Sequence, residues 1–444
     1  MSASGGNLLV LQGGGPTPVF NASLFGVIDE ARRHRAIAQI LGASFGVEGV
    51  LNDQLIDLSS LPAPQLEGLR TSPGASLGTT RHKLTEADVE QIAARLRERD
   101  VRHLLLIGGN GSMRAADMIA QGASALGHDV NVIGVPKTID NDIPHTDRCP
   151  GFGSAAKYVA QSVRDLAMDV RTLPQPVSIY ETMGRSAGWL AAASVLARVD
   201  ADDAPHLVYL PECPFNTERF LGDVDRVVTR LGWAIVVVTE GIVSASGEPV
   251  YQTASAAQRD ALSRALPGGV AAHLAETVAA GLGIRCRWEQ PGLCGRASML
   301  HVSEQDRADA ELVGREGVRA ALAGATAQMV ALRPLHDLRA IQFPAHAGSC
   351  AAGSAASASQ YGPTGAGMDE CPTLSTNGCE LVPLSHVAGG ERTVPPQWAR
   401  ELCASGYSNE FVDYARPIVG ELISYPPPLM TSSKHPSQLQ RQSV

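Results

Sequence analysis

Over most of its length this chain alternates short apolar runs with stretches of helical periodicity, and nothing else in the sequence limits its fold as strongly. NLLVLQ (7–12) runs into GGGP, after which Val19, Leu24, Val27, Ile28 and Ala31 mark one side of a helix. HLLLIGG (103–109) leads into a helix expected over 112–126, and NVIGVP (131–136) leads into the segment VPKTIDNDI. A helix is expected over 154–168, a strand at PVSIYET (176–182) and an alanine-rich helix over 185–197. HLVYLPE (206–212), a helix from about 217 and WAIVVVTEG (233–241) repeat the unit. The pattern is that of an α/β protein, with at least seven strands in mostly parallel sheets flanked by helices. At 444 residues the chain exceeds one typical core, so two α/β lobes or one large domain with additions are expected.

The periodicity stops near residue 340. Residues 343–376 are rich in Ala, Gly and Ser and poor in large apolar side chains, the composition of a flexible insertion. Residues 384–428 carry Trp398, Phe411 and Tyr414, the anchors expected of a helical cap, and 430–444 reads as a disordered tail. A formal charge of −9 argues against a general binder of nucleic acid or of anionic membranes. The eight cysteines show neither C-x-x-C pairs nor metal-ligand spacing, so reduced thiols in a cytoplasmic protein are expected. No basic region precedes the first apolar run, and no run reaches the length of a membrane span.

Glycine-rich turns stand at 13–16 (GGGP), 108–112 (GGNGS) and 151–154 (GFGS). Without side chains, such turns let backbone N–H groups approach an anion, although a tight strand-to-helix turn also needs glycine for conformational reasons alone. Two of them on adjacent strand ends would favour a phosphate cradle, because ligands of open α/β sheets bind at the carboxyl ends of the strands. None fits the P-loop pattern GxxxxGK[ST]. In VPKTIDNDI, a carboxylate at a strand end can accept the proton of a substrate hydroxyl while a second holds a metal or transition-state charge. An Asx turn would explain the acids equally well but leaves Lys137 unexplained.

GGGPTPVFNASL, LGTTR (77–81), GGNGSM, GVPKTIDNDI, PGFGSAAKY, ETMGRSAGWLAA, YLPE, VTEG and DRADAELVGREGV (306–318) resemble, in the same order, the motifs of phosphofructokinases. They look most like the branch that uses pyrophosphate, and the resemblance runs from about Gly5 to Leu422. It implies a two-lobed α/β fold with the active site in the cleft between the lobes. The expected lobes are a donor-binding one over 1–153, completed by 304–335, and a sugar-phosphate-binding one over 154–303. The implied reaction is Mg²⁺-dependent phosphoryl transfer from pyrophosphate to the 1-hydroxyl of fructose 6-phosphate, by a homodimer or homotetramer.

Residue by residue, the resemblance makes Asp140 the general base, gives Thr138 a share of the sugar contact and places Asp142 near the metal. Gly14 and Gly111 fall in the donor turns, and Arg81 matches an arginine on the donor phosphates. Met183, Gly184 and Arg185 match the sugar loop, Glu240 an acid on the sugar hydroxyls and Arg296 the arginine on the 6-phosphate. Lys137 stands where ATP-using relatives commonly have glycine, in the path of a nucleotide's α-phosphate and beside the leaving phosphate of pyrophosphate. There are departures. Asn110 replaces an aspartate, leaving a metal-ligating carbonyl without charge, and Pro176 replaces an arginine for which Arg171 is a substitute. Gly111 leaves room that pyrophosphate-type relatives often fill with aspartate, which keeps an ATP-dependent enzyme as the alternative. A non-catalytic sugar-phosphate binder is the third reading; Asn110 and Pro176 favour it, and Thr138, Asp140, Asp142 and Arg81 speak against it.

Overall fold

The computed structural model describes residues 6–172, 177–252, 268–335 and 378–426; Pro176, the segment 343–376 and the tail 430–444 lie outside the described residues. The first part of the chain forms β1 (Asn7–Gln12), α1 (Phe20–Ala31), β2 (Ile40–Ala43), α2 (Val47–Leu51), β3 (Leu55–Asp57) and α3 (Ala63–Arg70). Next come α4 (Glu86–Glu98), β4 (Val101–Gly108), α5 (Asn110–Ala125), β5 (Asn131–Pro136) and α6 (Phe152–Val170). The middle part holds β6 (Val177–Thr182), α7 (Trp189–Ala193), β7 (Leu207–Tyr209), α8 (Thr217–Leu231), β8 (Ala234–Thr239), α9 (Val270–Leu282) and β9 (Cys286–Glu289). The last elements are α10 (Glu304–Leu322), β10 (Gln328–Leu332), β11 (Cys379–Pro383), α11 (Leu384–Val387), α12 (Pro396–Ser405) and α13 (Asn409–Val419).

These strands make two sheets. The larger has seven strands in the order β11-β10-β5-β4-β1-β2-β3, and the smaller has four, β7-β8-β6-β9. The interior pairs of the larger sheet are parallel, with antiparallel pairs only at its edges, between β2 and β3 and between β10 and β11. The smaller sheet is parallel throughout. Both faces of the large sheet are covered, as parallel strands of near-continuous apolar sequence require. Leu9, Leu11, Leu104 and Leu106 face the α4 and α5 side, while Leu8, Val10, Leu105 and Ile107 face α1 and α10. Each such side chain contributes roughly 1.5–3 kcal/mol by leaving water.

Helix ends follow local chemistry. Thr85 and Asp88 form a reciprocal capping box on α4, Asn216 caps α8, and Ser303 caps α10 by accepting from the Asp306 N–H. The contact of α1 with α10 depends on two glycines. A Cβ on Gly26 would fall 2.3 Å from the Glu311 carbonyl oxygen, and one on Gly314 would fall 2.3 Å from that of Ser23. Backbone therefore meets backbone at this crossing.

One expected element is shorter than the sequence indicates. Instead of a helix over 185–197, residues 183–188 form a loop, followed by α7 and a 3₁₀ turn at Ser194–Ala197. Gly184 has φ of 134°, outside the helical region, and its N–H is directed at Glu240 (3.5 Å). Trp398, Phe411 and Tyr414 gather around Trp189, with ring centroids 6.4, 6.3 and 5.5 Å from it, so α12 and α13 close over α7. Among the described residues no helix is long and apolar enough to cross a membrane.

Candidate active site

β1, β4 and β5 lie side by side, so the turns that follow them converge at one end of the sheet. The Gly13 N–H donates to the Ile107 carbonyl (2.9 Å) and the Lys137 N–H to that of Gly108 (3.0 Å), which ties the three turns together. The Lys137 side chain runs back into the first turn. Its Nζ donates to the Gly15 carbonyl (2.7 Å), lies over the Phe20 ring (4.4 Å) and would be 3.4 Å from a Cβ on Gly14. Only 2% of this lysine is exposed. Burial pushes its pKa down to about 7, against the opposing pull of Asp140 and Asp142. Gly111, in the first turn of α5, has open space where a side chain would stand.

The acids follow within a few residues. The Asp140 N–H donates to Thr138 Oγ1 (3.1 Å). Burial raises the Asp140 pKa well above the carboxylate range, reinforced by Asp142 and Glu240, while Lys137 and Arg296 oppose. Asp142 is raised by burial as well. Asn110 Nδ2 donates to Asp142 Oδ2 (2.9 Å), so the residue that departs from the usual aspartate anchors the second acid. Among the described residues no cluster of three or more His, Cys, Asp or Glu side chains is placed to hold a metal ion. Asn110 Oδ1 and Asp142 Oδ1 are nevertheless both buried without a hydrogen-bond partner. Two such oxygens suit Mg²⁺, which takes a few protein ligands and completes its shell with water and phosphate oxygens.

Asp306 and Asp309 on α10, with Arg148, hold the acid loop in place; both fall in the DRADAELVGREGV stretch, which does not by itself reveal this role. Asp306 accepts from the Gly151 N–H (2.8 Å), the Ser154 N–H (2.9 Å) and Ser154 Oγ (2.5 Å). The third glycine turn is therefore no anion cradle. The N-terminus of α6 already has its anion, Asp306, whose pKa burial pushes up to about 6. Arg148, 1% exposed, forms a bidentate pair with Asp309 (2.6 and 2.8 Å) and donates to the Arg333 carbonyl (2.7 Å). Acid–acid spacing at 306 and 309 on one helix face is the only sequence signal for this arrangement, and it does not identify a partner.

Opposite these turns stand the ends of β6 and β8. Glu240 follows β8, and burial pushes its pKa up to about 7, with Arg185 close enough to oppose the shift. Met183 lines a narrow pocket together with Ile139, Tyr158, Tyr180 and Arg296. Arg296 also reaches the first glycine turn, its Nη1 2.9 Å from where a Gly15 Cβ would be, and it feels the charges of Arg81 and Asp140. The structure thus brings Gly14, Arg81, Asn110, Lys137, Thr138, Asp140, Asp142, Met183, Gly184, Arg185, Glu240 and Arg296 around one cleft. Arg171 is paired with Asp203 (2.7 Å) and stacked over Trp233 (4.5 Å).

A family model described as phosphofructokinase matches residues 7–321. A protein of Xanthomonas campestris pv. campestris named pyrophosphate–fructose 6-phosphate 1-phosphotransferase is 43% identical over 340 residues, covering 75% of this chain and 80% of that one. A protein of the same name from Rhodospirillum rubrum is 33% identical over 422 residues, covering 94% of both chains. The solved structure of a pyrophosphate-dependent phosphofructokinase from Marinobacter aquaeolei superposes with a TM-score of 0.77 at 31% identity, covering 95% of this chain and 93% of that one. The family model spans from β1 to the last turn of α10, and relatives match along nearly the whole chain, so the protein belongs to the phosphofructokinase family.

Proposed function

We propose that the chain catalyses reversible, Mg²⁺-dependent phosphoryl transfer from pyrophosphate to the 1-hydroxyl of fructose 6-phosphate, giving fructose 1,6-bisphosphate and phosphate. The observation that carries this reading is Lys137, whose buried Nζ lies against the Gly14–Gly15 turn (2.7 Å from the Gly15 carbonyl). An ammonium there obstructs the α-phosphate of a nucleotide and meets the charge that grows on the leaving phosphate of pyrophosphate. At about 4 Å and an effective dielectric near 20, one such contact is on the order of 4 kcal/mol before desolvation, so half of it exceeds a tenfold rate factor.

In this reading Asp140, with its raised pKa, takes the proton of the 1-hydroxyl as the sugar oxygen attacks phosphorus in line. The bond between phosphorus and the bridging oxygen breaks, and Lys137 and Arg81 stabilise the departing phosphate. Mg²⁺ bound by Asn110 Oδ1 and Asp142 Oδ1 would neutralise charge on the donor oxygens. Met183, Gly184, Arg185 and Glu240 orient the sugar, and Arg296 holds its 6-phosphate. Residues 1–153 with 304–335 serve as the donor lobe and 154–303 as the sugar lobe. The proposal includes a cytoplasmic homodimer or homotetramer serving glycolysis or gluconeogenesis.

The test is a side-by-side assay with pyrophosphate and ATP. Pyrophosphate should exceed ATP by at least tens-fold in kcat/KM. A preference for ATP would overturn the reading of Lys137 and install the second one, which the open space beside Gly111 favours. Absence of single-turnover label transfer from either donor would leave a binder.

A further inference from the structure

The C-terminal cap lies beyond residue 321, where the family match ends, yet it touches the residues between and beside the two acids. Asn141 stands between Asp140 and Asp142, fully buried, with φ of 52°, a left-handed conformation that a side chain with its own hydrogen bonds can sustain. Its Oδ1 accepts from the Cys149 N–H (2.9 Å), and its Nδ2 donates to the Tyr414 hydroxyl (2.9 Å). That hydroxyl donates in turn to the Asp147 carbonyl (2.8 Å) and accepts from Arg392 Nη2 (3.4 Å), which uses its whole hydrogen-bonding capacity. The Arg392 N–H donates to the Asp142 carbonyl (2.7 Å), while the guanidinium lies over Trp189 (4.4 Å).

We propose that Tyr414 is a positioning residue for phosphoryl transfer: through Asn141, its hydroxyl fixes the backbone that aims Asp140 and Asp142 at the donor turn. This rests on the phosphoryl-transfer reading above. The ring of Tyr414 packs among Trp189, Trp398 and Phe411, at centroid distances of 5.5, 5.6 and 6.3 Å, so α13 is anchored independently of the hydroxyl. Packing therefore holds the helix, and the hydroxyl is left to hold the loop.

Tyr414→Phe keeps the ring and deletes the contact. With whichever donor the wild type uses, kcat should fall roughly ten- to hundredfold, because small misplacements of reacting groups have effects of that size. KM for both substrates should stay within about twofold and the melting temperature within a few degrees. Comparing variant with wild type on the same donor separates this test from the pyrophosphate reading, which a wild-type preference for ATP would defeat alone. Introduced into Asn141→Ala, Tyr414→Phe should lower kcat no further. An unchanged kcat, a loss tracking KM or melting temperature instead, or independent losses that multiply in the double variant would each overturn the proposal.

Discussion

The loop after β5 is gripped from three sides, whereas the loop after β6 has two carboxylates to hold it. Arg148 with Asp309, Asp306 with the start of α6, and Tyr414 with Asn141 all converge on residues 138–154. Across the cleft, residues 183–188 are held by Gly184 N–H to Glu240 (3.5 Å) and Gly188 N–H to Glu212 (2.9 Å). The loop proposed to carry the reacting acids is tied to both α10 and α13. Residues 183–188, proposed to take the sugar, are tied to the smaller sheet through carboxylates that follow β7 and β8.

The largest effect should come from the loop after β5. Asp140→Asn keeps shape and removes the proton acceptor, so kcat should drop by roughly 10²–10⁴ while sugar affinity measured by calorimetry barely changes. Near-normal turnover would break the assignment of the base.

Next in size is a stability contrast. Arg148→Met leaves Asp309 buried without its partner and should lose about 3–5 kcal/mol in a denaturant titration. Glu212→Gln keeps an acceptor oxygen and should lose about 1 kcal/mol or less. Equal losses would mean that the two loops are held alike.

Lys137→Met should lower kcat/KM for pyrophosphate at least tens-fold. Burial depresses the lysine's pKa to about 7, so its charge is present below that pH and lost above it. In the wild type, kcat/KM for pyrophosphate should therefore decline on the alkaline side of pH 7, and the variant should lack that limb.

The smallest effect belongs to the loop after β6 and its carboxylates. Burial raises the Glu240 pKa to about 7, so its carboxylate is present above that pH and disappears on acidification. KM for fructose 6-phosphate should rise as the pH falls below 7 in the wild type. In Glu240→Gln it should stay flat and roughly two- to fivefold higher than the wild-type value at alkaline pH. A pH-dependent KM in that variant would assign the titration to another group.

The turns at 13–16 and 108–112 are legible in the sequence because each stands where an apolar run ends, and parallel strands carry their ligands at that end, whereas the turn at 151–154 follows no apolar run. Side-by-side placement of the first two turns follows from β1 pairing with β4, which the alternation of elements leaves open because it does not fix strand order. Residues 185–188, expected to open a helix, are loop instead, because alanine-rich periodicity registers spacing and does not fix where the first helical turn begins. The pairs Arg148–Asp309 and Asn141–Tyr414 span 161 and 273 residues, so no local pattern announces them. The same is true of Arg392, whose role depends on a backbone N–H that every residue but proline possesses.

The glycine crossing of α1 and α10 acts as a strut. α1 begins a few residues after the donor turn, and α10 carries Asp306 and Asp309, which grip the acid loop. With Gly26 and Gly314 set backbone against backbone, the helices meet at these two positions with no side chain between them, and the Arg315–Asp29 and Arg319–Glu30 pairs fasten them alongside. A displacement of the turn at 13–16 carried along α1 would therefore press on α10 and, through Asp306 and Asp309, on residues 148–154.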